Sequence, residues 1–164
     1  MKRAVKSLLL ICVLLLSLSG VSNASVSVTS DSKYFDILSG CFVLQGNVLV
    51  QTDDRSISAD TAKVNLTSRE VWADGNIHLQ QPEDNIEFKG GSLYASDASK
   101  TAQIKGNVLF KRPDITIEAN ACSFNWSTKI AEFDGLVDVK QNGKTTSYNK
   151  VQYNVEENKI IATE

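Results

Sequence analysis

Apolar residues recur in columns along the chain. Phe42 and Leu44 precede Gly46, and Val48 and Val50 follow it. The arrangement returns as Val71, Ala73, Gly75, Ile77 and Leu79, as Ala102, Ile104, Gly106, Val108 and Phe110, and as Ala131, Phe133, Gly135, Val137 and Val139. Polar residues fill most of the alternate positions. Period-two alternation sends successive side chains to opposite faces of a β-strand, one buried and one wet. The glycines stand 29, 31 and 29 residues apart, so the chain reads as a repeat of about 29 residues.

A second marker keeps step with the first. Asp31, Asp60, Asn120 and Asn149 each lie 15 residues before the next glycine position, which for Asn149 is Glu164. In the third unit Lys89 is assigned this place, 17 residues before Gly106, which gives that unit a two-residue insertion. Inward parity is unbroken through each glycine, so the glycine strand is expected to run on with a sharp bend. Parity switches between Ala59 and Ala62, and a β-bulge is expected near Asp60. Pro82 and Pro113 share one repeat position, which Asp53 and Asn142 fill elsewhere, and mark turns.

Each unit is therefore two long strands, one bent and one bulged. Stacked units align these irregularities into a crease. The expected fold is all-β: an antiparallel, folded-over sheet, or β-jelly roll, with the apolar columns between two leaves. A parallel β-solenoid is the alternative. At the ends, edge strands either fray or pair with another chain. The candidates for such an interface are Val26, Val28, Val151, Tyr153, Val155 and Ile160.

The first residues change the picture of where the fold begins. Lys2, Arg3 and Lys6 precede an apolar run from Leu8 to Leu18, and Ser22-Asn23-Ala24 has the small-x-small pattern of a cleavage site. Residues 1–24 are expected to be a cleavable signal peptide and residues 25–164 a single domain. The apolar run is only about half the ~20 residues that span a bilayer. Without the three leader cations, 14 basic residues face 19 acidic ones, a formal charge of −5 that disfavours nucleic acid as a partner. Cys41 and Cys122 have opposite parity and are read as separate thiols.

No catalytic constellation stands out, and the chain reads as a non-enzyme without metal or cofactor. His78, the only histidine, has outward parity between Ile77 and Leu79. Gly90-Gly91 lacks the Lys-Ser/Thr of a phosphate loop. Asn65-Leu66-Thr67 and Asn125-Trp126-Ser127 fall near turns and read as strand-end polar residues. Lys105, Lys111, Arg112, Lys129 and Lys140 are read as a solvated outer face, with lipid phosphates as the alternative contact.

The leader, the Ser30-Asp31 and Ala59-Asp60 markers, the Gly-Asn-Val strand 15 residues later and the closing Tyr153-Asn154-Val155-Glu156-Glu157-Asn158-Lys159-Ile160 together resemble the LptA/OstA-like family of periplasmic lipopolysaccharide-transport proteins. The resemblance covers about Val26 to Ala162. It implies a periplasmic carrier that holds lipopolysaccharide acyl chains between the leaves. It also implies head-to-tail joining with copies of itself, with an inner-membrane-anchored LptC-like relative and with the N-terminal domain of an LptD-like outer-membrane barrel. The lipid contacts would be drawn from inward positions: Phe42, Leu44, Val48, Val50, Ile77, Leu79, Ile104, Phe110, Ile117, Phe124, Trp126, Phe133 and Tyr153. From the residues alone, these columns fill a closed core as well as they line a groove. A structural or assembly module that uses its edges and binds no lipid is the alternative function.

Overall fold

The computed structural model describes residues 27–51, 56–82 and 85–164. The expected signal peptide, Val26 and Asp53 lie outside the described residues. The strands are β1 (Ser27–Thr29), β2 (Ser32–Asp36), β3 (Cys41–Gln51), β4 (Ser56–Asn65), β5 (Glu70–Gln81), β6 (Ile86–Ser96), β7 (Thr101–Lys111), β8 (Ile115–Asn125), β9 (Ile130–Gln141), β10 (Lys144–Asn154) and β11 (Lys159–Thr163). They form one open sheet in the order β1-β3-β4-β5-β6-β7-β8-β9-β10-β11, with β2 beside β3. Neighbouring strands are antiparallel throughout, for example β5 with β6 and β8 with β9. This is the meander expected of the repeats, and it sets aside the parallel solenoid.

The crease has a definite construction. At β4–β5, Ser58 faces His78 and Thr61 faces Asp74. Three residues of β5, Gly75, Asn76 and Ile77, therefore stand against two of β4, Ala59 and Asp60. Gly75 and Asn76 both take left-handed backbone, with φ of +78° and +48°. The extra residue of the bulge sits on the glycine strand, not on the aspartate strand as parity alone implies. Inward parity survives along the glycine strand because the Gly-Asn pair adds a full two-residue step while the chain turns. Asp60 crosses over Gly75 and accepts two hydrogen bonds from the Asn76 amide, at 3.1 and 2.9 Å. Asp31 does the same at the first crease, accepting from Asn47 at 2.9 Å.

A β-carbon on Gly75 would lie 2.1 Å from Oδ2 of Asp60. Gly75→Ala is therefore expected to lose about 1–3 kcal/mol, from the left-handed backbone and from displacement of Asp60. A urea titration checks this.

The third unit corrects the assignment of Lys89. Ile77 faces Gly90 and Asp74 faces Ser92, so Gly91 occupies the marker position and Gly90 the inward one. Gly91 lies 15 residues before Gly106, as in the other units. The two extra residues belong to the connection between Gln81 and Ile86, where length is tolerated, and not to the strand. Periodicity conceals this because glycine has no side chain to declare a face.

The fourth crease also departs from the pattern. Leu136 stands where Asn47, Asn76 and Asn107 stand elsewhere, at φ +52° and 80% exposed. Asparagine visits this backbone region more readily than leucine. Leu136→Asn is expected to stabilise the protein by about 1 kcal/mol, read as a rise of a few degrees in the thermal midpoint.

The creases divide the sheet into a first leaf (β2 and the segments 41–45, 61–65, 70–74, 92–96, 101–105, 121–125, 130–134 and 150–154, with β11) and a second (β1 and the remaining segments). The turns of the first leaf are ordered by asparagine: Asn65, Asn125 and Asn154 each accept two backbone N–H bonds through Oδ1, at 2.9–3.1 Å. These are Asx turns, in keeping with the strand-end reading of Asn65 and Asn125.

The leaves are not in step. Phe110 on the second leaf of β7 meets Phe133 of β9 and Tyr153 of β10 on the first leaf, with ring centroids 5.9 and 5.3 Å apart. Sheet twist thus offsets one leaf over the other by two to three strands. Among the described residues, the first leaf is consequently uncovered at its N-terminal end. There Phe35 and Phe42, paired across β2–β3 with centroids 5.0 Å apart, are 51% and 41% exposed. Cys41 and Cys122 are free and buried, as expected from their opposite parity.

Candidate functional site: an apolar groove between the leaves

The inward columns meet as one buried cluster that spans both leaves, from Val64 and Val71 to Val151 and Tyr153. A second, smaller cluster of Leu44, Val48, Ala59, Ala62, Ala73 and Ile77 adjoins it through Leu93. Between the leaves lies a cavity of about 90 Å³. Its walls include Val48, Val50, Ile57, Ile77, Leu79, Phe88, Ile104, Phe110, Cys122, Phe124 and Trp126, and Ser58 is the only polar residue among those lining it. Alanines keep the space open: Ala59, Ala62, Ala73, Ala95, Ala102 and Ala131 all border it. A cavity with almost no hydrogen-bonding groups attracts hydrocarbon and not water.

Its size matters as much as its chemistry. Sites for small organic ligands commonly occupy roughly 300–1,000 Å³. A guest of that size therefore enters only if the leaves part. Burying about ten methylenes of an apolar guest would be worth ~8 kcal/mol, of the order of the apolar contacts that parting would break.

One end of the groove carries a polar clasp. Arg112, in the turn between β7 and β8 of the second leaf, reaches the β10–β11 turn of the first. Its Nη1 donates to the Tyr153 hydroxyl (3.2 Å), the Val155 carbonyl (3.1 Å) and Oδ1 of Asn158 (3.0 Å). Asn158 returns a bond from Nδ2 to Asp114, 3.0 Å away, and also accepts from the Tyr153 hydroxyl. Burial raises the pKa of Tyr153 against the opposing pull of Arg112, so the hydroxyl stays protonated and can donate. Burial likewise pushes the Cys122 thiol far up, which leaves it an unreactive part of the wall.

The structure places the sequence candidates in three groups. Val48, Val50, Ile77, Leu79, Ile104, Phe110, Phe124 and Trp126 line the cavity. Leu44, Ile117, Phe133 and Tyr153 are buried in the core around it. Phe42 has the inward parity but lies on the uncovered end of the first leaf. Of the edge candidates, Val28 is on β1 and is 38% exposed, and Ile160 is on β11. Val155 follows β10 and borders the cavity. Val151 and Tyr153 lie one strand in from that edge and are fully buried, because β11 covers β10 in the first leaf. The β11 strand carries a bulge at Ile161 where it pairs with β10.

The alternation groups Arg112 with the solvated cations; its guanidinium instead ties the two leaves together. The pattern does not show this, because the turn brings Arg112 against residues 41 to 46 positions away. His78 is outward as expected, with Nε2 2.9 Å from Glu87, beside Lys89 at 2.8 Å from the same carboxylate. Those two partners hold the Glu87 pKa down, the Lys89 bond most. Among the described residues, no group of histidines, cysteines and carboxylates is arranged to hold a metal.

No protein with a curated description matches the chain. Among solved structures, one similar to it is LptH from Pseudomonas aeruginosa, described as the LptA-homologous periplasmic component of the conserved lipopolysaccharide transport device. The two are 17% identical over 84% of this chain and 81% of that one, with a TM-score of 0.36. The model of the family described as LptA/(LptD N-terminal domain) LPS transport protein matches residues 27–159, so the chain belongs to that transport family and is not an enzyme.

Proposed function

We propose that the mature chain, residues 25–164, is a periplasmic carrier that holds the acyl chains of lipopolysaccharide between its two leaves. The observation that carries this reading is the cavity between the leaves, walled by apolar side chains and kept open by alanines. A fold that needed only a core would fill that space with larger residues, since voids cost stability. Membership of an LPS transport family supports the choice of lipid.

The uncovered N-terminal end gives the carrier a way to join others. Val28, Tyr34, Phe35, Ile37, Leu38 and Phe42 are all exposed there, on or beside the edge strands β1 and β2. Exposed apolar residues gathered at one end of a sheet favour an interaction site there. On this reading the N-terminal edge meets the C-terminal edge β11 of another copy, or of an LptC-like relative anchored in the inner membrane. The N-terminal domain of an LptD-like barrel would end the row.

The same patch favours the second reading, an assembly module that binds no lipid. Native mass spectrometry separates the two. Purified mature protein mixed with lipopolysaccharide is expected to gain the mass of one lipid. Protein that stays lipid-free over a full titration, while still forming oligomers, would establish the assembly module instead.

A further inference from the structure

We propose that Arg112 is the gate of the groove: its guanidinium holds the two leaves shut at the C-terminal mouth, and lipid passes that mouth only when the guanidinium lets go. The inference rests on the carriage reading above and adds to it a direction and a residue. It starts from the asymmetry of the two ends. At the N-terminal end no described segment lies over the first leaf, and Phe35 and Phe42 are 51% and 41% exposed. At the other end, three hydrogen bonds run from one guanidinium across the gap to Tyr153, Val155 and Asn158.

The clasp is placed where the groove ends. Phe110, two residues before Arg112, and Val155, one of its acceptors, both line the cavity. Trp126 lines it too, 2% exposed, in the neighbouring first-leaf turn, whose Lys129 carbonyl receives the Val155 N–H at 2.9 Å. A chain leaving toward β11 must therefore pass between Phe110 and the β10–β11 turn, the gap that Arg112 spans. Another polar contact across that gap, Asn158 to Asp114, joins exposed groups. Removing Arg112 leaves that exposed tie in place and frees the Val155 carbonyl.

The Nε atom of Arg112 is buried without a partner, so the grip is concentrated in the three bonds from Nη1. A clasp made this way can open without unfolding either leaf. The leaves stay joined along the crease, and only the turn tips move apart.

Two measurements on the mature protein test the gate. In lipid-free protein, Arg112→Ala is expected to speed amide hydrogen exchange over Tyr153–Asn158 roughly tenfold, since hydrogen bonds to a charged group of this kind are worth about 1.4 kcal/mol or more. Lipopolysaccharide preloaded on the protein and diluted into lipid-free buffer is expected to leave Arg112→Ala at least about five times faster than wild type. Asn158→Ala, in an exposed turn, is expected to do the same in smaller measure. Arg69→Ala serves as the control. It removes a 3.1 Å ion pair to Asp97 within the first leaf and is expected to leave release unchanged.

Equal release from wild type and Arg112→Ala, or equal acceleration in Arg69→Ala, overturns the gate while leaving carriage standing. A wild type that takes up no lipid at all overturns carriage, and the gate with it.

Discussion

Phe133→Ala is expected to lower the unfolding free energy by about 3–5 kcal/mol, the usual cost of emptying a large aromatic site. Phe133 is fully buried and touches Phe110 across the leaves, so its removal opens a void bounded by both. Phe42→Ala, with the same atoms removed and the same parity, is expected to cost less than about 1 kcal/mol, because Phe42 is uncovered and already meets water. Urea denaturation of the two variants reads the difference as shifts in midpoint. Similar losses in both would mean that the leaves are not offset, and that the N-terminal end is closed like the rest.

Filling the groove is expected to have the largest effect on lipid. Ala73→Leu with Ala102→Leu places two isobutyl groups at the cavity wall. The cavity of about 90 Å³ absorbs part of the added volume, so the double variant is expected to stay folded with a loss of no more than about 1–3 kcal/mol. Lipopolysaccharide affinity is expected to fall at least roughly tenfold, because the space into which acyl chains first wedge is gone. Titration followed by native mass spectrometry, with a circular dichroism spectrum to show the fold intact, gives the answer. Undiminished affinity would place the lipid outside the leaves.

Much of this architecture is legible in the alternation itself. The strands β3 to β10, ten to twelve residues long, leave enough inward positions for the columns to be read without ambiguity. The order of the meander follows from short polar turns. The position of the crease is legible too, since glycine and aspartate recur in step. Its mechanism is not. Which strand carries the extra residue depends on backbone angles, and Gly46-Asn47 and Gly75-Asn76 keep parity only because both residues turn left-handed. The Lys89 assignment fails for a related reason: Gly90 and Gly91 carry no side chain whose polarity could declare a face.

The groove is partly legible. Inward parity puts Phe110, Phe124 and Trp126 on its wall, but parity says nothing about cover. Phe42 obeys the same alternation and is open to solvent because twist carries the second leaf past it. Val151 and Tyr153 sit near the end of the sequence without being at the edge of the sheet. The role of Arg112 is invisible altogether, since a clasp between turns far apart in sequence is a property of the folded leaves.

The central claim is that lipid lies between the leaves and not on their outer surface. Leu79 and His78 are adjacent in β5; Leu79 lines the cavity and His78 points outward to Glu87. A photoreactive amino acid placed at each position in turn, irradiated with lipopolysaccharide, tests the claim by a change of one residue. Adducts are expected at position 79 and not at 78. Adducts at 78 alone, or equally at both, would contradict it.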